Sequence, residues 1–158
     1  MLEKIISGGQ TGVDRAALDA AIELGIACGG WCPKGRLAED GPIADRYPLT
    51  ETPSRRYRER TEWNVRDSDA TLILGTGELT GGTRLTQILA EQLGKPYFRV
   101  DFANPPRTAR LAEDLLSNKI RILNIAGPRE STEPGIYEKT AEFLHQLLDI
   151  LLSDVCDD

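Results

Sequence analysis

One pattern repeats along the chain: a short apolar run, a turn rich in glycine or a helix breaker, then an amphipathic helix. The runs are "KIIS" (4–7), "GIACGGW" (25–31), "ATLIL" (70–74), "PYFRV" (96–100) and "IRILNIAG" (120–127). They are short and β-branched or aromatic, and most end near Gly, Pro, Asn or Asp, which reads as buried strands. Helical spacing lies between them. Val13, Ala16, Ala17, Ala20, Ala21 and Leu24 share one face of 13–24. Leu85, Ile88, Leu89 and Leu93 do so in 83–93, where Gly94 is placed to end the helix. Leu111, Leu115 and Leu116 form a weaker stripe in 107–117, and Ile136, Thr140, Phe143, Leu144, Leu147, Leu148 and Leu151 a strong one in 136–152. Alternating strands and helices demand parallel strands joined by right-handed crossovers. The expectation is a three-layer α/β domain spanning 1–158. It has an open parallel sheet of about five strands in the order 2-1-3-4-5, with helices on both faces.

The stretch 32–69 breaks this rhythm. Its first half, "CPKGRLAEDGPIADRYPLTETP", holds four prolines and little periodicity. Its second half, "SRRYRERTEWNVRDSD", predicts a helix with Ser54 as N-cap and Tyr57, Thr61 and Val65 on the buried side, Arg60 and Asn64 beside them. Arg60, Thr61 and Asn64 are then able to face a ligand crevice. The other arginines are expected in solvent or paired with Glu59 and Glu62. Ordered loops of this length are often functional.

The chemistry concentrates in the glycine turns. "GGQTGVDR" follows the first strand and opens a helix. Its Gly8, Gly9 and Gly12 let the chain turn tightly and a ligand approach the backbone, and Gln10 and Thr11 add side-chain donors. A helix N-terminus offers free N–H groups and partial positive charge to a phosphate or oxyanion. The motif is neither G-x-G-x-x-G nor a P-loop. A second turn, "GTGELTGGTRLT", supplies Thr80, Gly81, Gly82 and Thr83 after the third strand. A third, "AGPRES", supplies Gly127, Arg129 and Ser131 after the fifth. In an open parallel sheet all three share the carboxyl edge, where ligands bind. Asp14 and Arg15 open the first helix, and "CPKGR" adds Lys34, Gly35 and Arg36. Arg15, Lys34, Arg36 and Arg129 together would form a local positive well.

Composition excludes other classes. A net charge of -6 and a pI near 4.9 argue against nucleic-acid binding through a basic surface. No apolar run reaches the roughly 20 residues a membrane span requires, and the N-terminus enters a strand with no signal peptide expected. Three cysteines without disulfide spacing (Cys28, Cys32, Cys156) suggest a reducing cytoplasm. Cys28 and Cys32 lack the companions a structural zinc needs, although Cys32 stands beside the proposed ligand loop. The single histidine, His145, shares a face with Glu138, Glu142 and Asp149, which removes Ser-His-Asp chemistry. Trp31 and Trp63 read as core or interface residues. No catalytic set and no metal site is expected.

The ordered set "GGQTGVDRAALDAA", "GGWCPKGRLAEDGPI", "YPLTETPSRRYRERTEWNVRDSDATLIL", "LTGGTRLT" and "NIAGPRES" resembles the putative molybdenum carrier family over roughly residues 5–137. The resemblance implies a Rossmann-like fold, a homo-oligomer, and molybdenum cofactor (molybdopterin, a phosphorylated pterin dithiolene) as ligand. The wider superfamily is similar to phosphoribohydrolases whose signature P-G-G-x-G-T-x-x-E places a glutamate where this chain has Thr86. That departure keeps a phosphate cradle and loses the hydrolytic residue. The leading expectation is a carrier of molybdenum cofactor or a related phosphorylated ligand. The alternatives are a nucleotide-cleaving enzyme using Glu59, Glu62 or Asp14, and a nucleotide-sensing module.

Overall fold

The computed structural model describes residues 1–153. In chain order its elements are β1 (Lys4–Ile6), α1 (Val13–Glu23), β2 (Ala27–Gly29), β3 (Trp31–Cys32), β4 (Leu37–Ala38), β5 (Gly41–Pro42), β6 (Thr50–Glu51), α2 (Tyr57–Arg66), β7 (Ala70–Gly75), α3 (Gly81–Gln92), β8 (Tyr97–Asp101), α4 (Thr108–Ser117), β9 (Ile122–Ala126) and α5 (Ile136–Ser153). Five strands make one parallel sheet in the order β2-β1-β9-β7-β8.

The α/β class and the parallel sheet match the sequence pattern; the strand order does not. The last strand is not at the edge but between β1 and β7. Its burial explains why: Leu123, Asn124 and Ile125 are all at most 2% exposed, as only a strand covered on both faces can be. β8, the predicted second-to-last strand, is half-buried along most of its length and takes the edge. The observed order is the Rossmann order 3-2-1-4-5 with its first strand moved to the C-terminal end.

Right-handed crossovers then assign the layers. The connections β1 to β2 and β8 to β9 run one way across the sheet, and β7 to β8 runs the other. Accordingly α1, α5 and α4 pack side by side on one face, and α2 packs on α3 on the other. The first face holds the main apolar core, where Ile5, Leu72, Leu74, Leu123 and Ile125 of the strands meet Ala17, Leu115, Leu144 and Leu148 of the helices. A smaller core of Leu18, Cys32, Ala38, Ile43 and Tyr47 holds the 31–52 segment.

Three local expectations are corrected. The run 25–31 is not one strand. Gly30, at φ 126°, breaks it because any Cβ there would stand 2.3 Å from the Ser7 carbonyl oxygen, and the chain continues as β3 beside β6. Ser54 does not cap a helix: α2 begins at Tyr57, and the Ser54 hydroxyl accepts the Arg56 N–H instead. The buried side of α2 is also turned from the predicted one. Arg60, Asn64 and Val65 are buried while Tyr57 is 37% exposed, since α2 covers polar loop backbone rather than an apolar sheet. Gly94 ends α3 at φ 66°, as its position implied.

Candidate functional site

The centre of the sheet supplies the site. β1, β9 and β7 end side by side, and the direction of connection reverses between β9 and β7. At such a switch point the loops splay apart and leave a crevice. Here it encloses about 450 Å³. It is lined by Gly8, Gln10, Asp14, Thr80–Thr83, Gly127–Arg129 and Ser131, and on another side by Tyr57, Arg60, Thr61 and Asn64 of α2. It continues down the α2/α3 face of the sheet, where Asn124 and Thr86 are buried polar residues.

Three helix N-termini reach this edge, and two are closed by the protein itself. At α1 the Val13 N–H donates to the Pro128 carbonyl at 3.2 Å. At α5 the Glu130 carboxylate accepts the Gly135 and Tyr137 N–H groups at 2.6 and 3.1 Å. At α3, Thr80 makes no side-chain cap, and the N–H groups of Gly81, Gly82 and Thr83 have no acceptor among the described residues. A Cβ on Gly81 or Gly82 would meet nothing within 4 Å. This N-terminus is therefore open to the crevice, with Arg129 on an opposing loop.

The loop after β1 is built for a close approach, but the approaching chain is its own. Gly12, at φ 79°, packs so tightly on the loop after β9 that a Cβ would lie 2.4 Å from the Pro128 oxygen. Thr11 and Ser131 both donate their hydroxyls to the Glu39 carboxylate, at the β4–β5 turn. The Ser131 N–H adds a bond at 3.2 Å, and Arg129 stands 3.8 Å away. Gln10 holds the same turn, its Oε1 accepting the N–H groups of Glu39 and Thr11 at 2.8 and 3.0 Å. The hydroxyls of Ser131 and Thr11 hold the Glu39 carboxyl below its ordinary range. Arg15 donates to Asp40 at 2.9 Å and to the Gly9 carbonyl.

The cations singled out around "CPKGR" lie outside the crevice lining. Arg36, at φ 53°, spends its guanidinium on the carbonyls of Ile43, Ala44, Tyr47 and Leu49. It organises its own loop. Lys34 and Gly35 are exposed beside it, and the Gly35 N–H donates to Glu51. The positive well expected from four cations thus reduces at the crevice to Arg129, joined by Arg60 of α2.

Arg60, Thr61 and Asn64 all line the crevice. Arg60 is only 8% exposed, donates Nη1 to the Gly8 carbonyl at 2.8 Å, and lies 5.0 Å from the Tyr57 ring. Asp14, 7% exposed, accepts the Gln10 N–H at 3.2 Å. Burial pushes the Asp14 carboxyl above its ordinary range, against the pull of Arg60, and pushes Arg60 below its own. Gly8 fits between them, since a Cβ would stand 2.7 Å from Arg60 Nη1 and 3.0 Å from Asp14 Oδ2. Asn64 is spent on the backbone of Trp31. The sequence pointed to the α2 trio but not to Glu39, and "AED" in a proline-rich loop carries no local signal for it.

The remaining candidates fall elsewhere. Cys32 is fully buried in the smaller core, and burial pushes its thiol up, the opposite of a reactive cysteine. His145 pairs with Glu23 at 2.9 Å on the helical surface. Trp31 and Trp63 pack edge to face at 4.8 Å, away from the crevice. Arg66 pairs with Asp67 rather than with Glu59 or Glu62. Cys156 lies outside the described residues.

Comparison with known proteins gives two matches. Residues 5–148 match the model of a family described as the circularly permutated YpsA SLOG family. The crystal structure of a protein from Syntrophus aciditrophicus named "putative molybdenum carrier protein" is 48% identical, with a TM-score of 0.88 over 93% of this chain and 95% of that one. No curated protein matches significantly.

Proposed function

The chain belongs to the circularly permutated YpsA SLOG family, and on that premise we propose that it is a binding or carrier protein for a small phosphorylated ligand or oxyanion, with molybdenum cofactor as the cargo that the name of its 48% identical relative suggests. The observation that carries the reading is the open N-terminus of α3. Gly81, Gly82 and Thr83 offer three unpaired N–H groups beside empty space, which suits a phosphate. Arg129 supplies the cation, and Thr80 and Thr83 the hydroxyls. A phosphorylated pterin fits these donors through its phosphate. Among the described residues no group of three His, Cys, Asp or Glu side chains could hold a metal ion. A molybdenum centre would thus arrive already ligated by its dithiolene. A cytoplasmic homo-oligomer completes the proposal.

Mass spectrometry of whatever co-purifies identifies the cargo, and calorimetry tests the seat. Gly82→Val places a branched side chain in front of the free N–H groups. It should weaken inorganic phosphate and molybdate binding at least about tenfold, because a charge-assisted backbone hydrogen bond is worth about 1.5–3 kcal/mol. The unfolding midpoint should stay nearly unchanged, since a Cβ there meets no protein atom within 4 Å. Equal affinity in the variant would overturn the seat.

A nucleotide-cleaving reading rests on one observation, the buried Asp14 carboxyl in the crevice. Its other candidates are occupied or absent. Thr86 donates its hydroxyl to the Gly82 carbonyl at 2.9 Å, Glu59 accepts the Ser54 N–H, and neither Glu59 nor Glu62 lines the crevice. General acid–base catalysis contributes about 10²–10⁴-fold. No release of ribose 5-phosphate from adenosine monophosphate is expected, and release at enzymatic rates would replace the carrier reading.

A further inference from the structure

Arg60 and Asp14 are an unusual pair of buried charges. Each is more than nine-tenths buried, each lines the crevice, and both converge on the vacant side of Gly8. Yet they form no ion pair with each other. Removing an ion from water costs several kcal/mol unless a partner restores the lost interactions. What the protein supplies is incomplete. Arg60 gives Nη1 to the Gly8 carbonyl and Nε to Thr61, leaving Nη2 without an acceptor among the described residues. The Asp14 carboxyl accepts the Gln10 N–H at 3.2 Å and lies close enough to the Ser7 hydroxyl to feel its pull. The neighbouring Ser7 hydroxyl is committed to the Ile125 carbonyl at 2.8 Å. A donor fork and a carboxylate therefore stand side by side, fixed by loop backbone, with hydrogen-bonding capacity left for a ligand.

We infer that Arg60 and Asp14 read the lactam edge of a six-membered ring, the guanidinium donating to the ring carbonyl and the carboxylate accepting the adjacent ring N–H. This rests on the anion seat proposed at α3. Both places line the same crevice, and the strand spacing allows one ligand to serve both. The seat follows β7 and the pair flanks the loop after β1, two strand spacings or about 10 Å apart, the reach of a phosphate monoester attached to a heterocycle. A ring with the opposite edge is rejected twice. An amino group would point at the guanidinium, donor against donor, and a bare ring nitrogen would face the carboxylate, acceptor against acceptor. Pterins and 6-oxopurines both carry the accepted edge, and adenine carries the rejected one.

Inosine and adenosine monophosphates differ at this edge alone and share the phosphate. In calorimetry on the wild-type chain, inosine monophosphate should bind roughly ten- to a hundredfold tighter, the cost of leaving buried polar groups unpaired. Asp14→Asn keeps the shape and replaces the carboxyl group with an amide, which donates as well as accepts. The preference should then fall toward unity while inorganic phosphate affinity is retained. Equal affinities for the two nucleotides in the wild type, or a preference unchanged in Asp14→Asn, would overturn the assignment and leave the α3 seat standing. Failure of both nucleotides and of inorganic phosphate to bind would overturn the seat and the assignment together. A pterin monophosphate in the same titration separates the sources. Binding tighter than inosine monophosphate identifies the ring as pterin, binding weaker as purine, and either order supports the lactam edge.

Discussion

Gly12 and Gly82 each stand at the N-terminus of a helix in a glycine turn, and the sequence treats them alike. Gly12 adopts φ 79°, and its missing side chain makes room for the Pro128 carbonyl. Gly82 has no positive φ and no neighbour within 4 Å. The first is glycine for the sake of the fold; the second leaves room for something else. Gly12→Ala should lower the unfolding free energy by about 1–3 kcal/mol, the cost of a strained backbone residue, and by more if the loop after β9 cannot yield. Gly82→Ala should be neutral or add up to about 1 kcal/mol, the difference in helix propensity. Urea unfolding of the two variants measures both. An equal loss in the two would mean that Gly82 is also structural.

The β4–β5 hairpin shows how an element can use the same chemistry internally. Thr11, Arg15, Arg129 and Ser131 were singled out as anion ligands, and the anions they meet are Glu39 and Asp40 of this hairpin. The hydroxyls of Ser131 and Thr11 hold Glu39 below the ordinary carboxylate range, and Arg15 does the same for Asp40. A depressed carboxyl contributes stability above its unfolded pKa, about 4, and loses it as pH falls through the lower folded value. Acidification through and below pH ~4 should therefore loosen the hairpin, read as lower amide protection factors at Leu37–Gly41 after correction for the intrinsic pH dependence of exchange. Glu39→Gln carries no titrating charge and should show part of that loosening already at neutral pH, with a flatter dependence on acid. Exchange that tracks pH identically in both proteins would mean that Glu39 holds nothing.

At the scale of the whole molecule, the order β2-β1-β9-β7-β8 is a Rossmann order entered at its second strand. α5 follows β9 as the first helix of an unpermuted chain would, and it packs on α1. It runs antiparallel to the strands, so its last turn reaches the edge where β1 begins, and Leu151 and Leu2 join the same core. Packing depends on this arrangement of neighbours and not on where the chain starts. A permutant opened at the exposed Asn118–Lys119 turn, with residues 1 and 158 joined by a short flexible linker, should fold with the same helical content and bind phosphate with the same affinity. A permutant that aggregates or binds no phosphate would show that chain order contributes to the fold. Circular dichroism and calorimetry decide it.

The sequence by itself determined the elements. Short buried strands and amphipathic helices are local patterns of periods 2 and 3.6; four of the five strand-like runs and the five helical stretches each became one element within a few residues, while the run 25–31 became two strands split at Gly30. Glycine placement marked the turns at the carboxyl edge for the same reason, since a positive φ or a close approach is required locally. Tertiary structure decided which strand lies in the middle, because β7, β8 and β9 are all apolar and only two-sided cover distinguishes them. It also decided which N-terminus stays open. Pro128, Glu39 and Glu130 close two of the three predicted anion turns from 28 to 119 residues away or from the same loop, and no local pattern carries that pairing. Arg60 was already legible from its helical spacing as a crevice candidate, but its burial was set by the polar loop that α2 covers and not by the apolar spacing of α2.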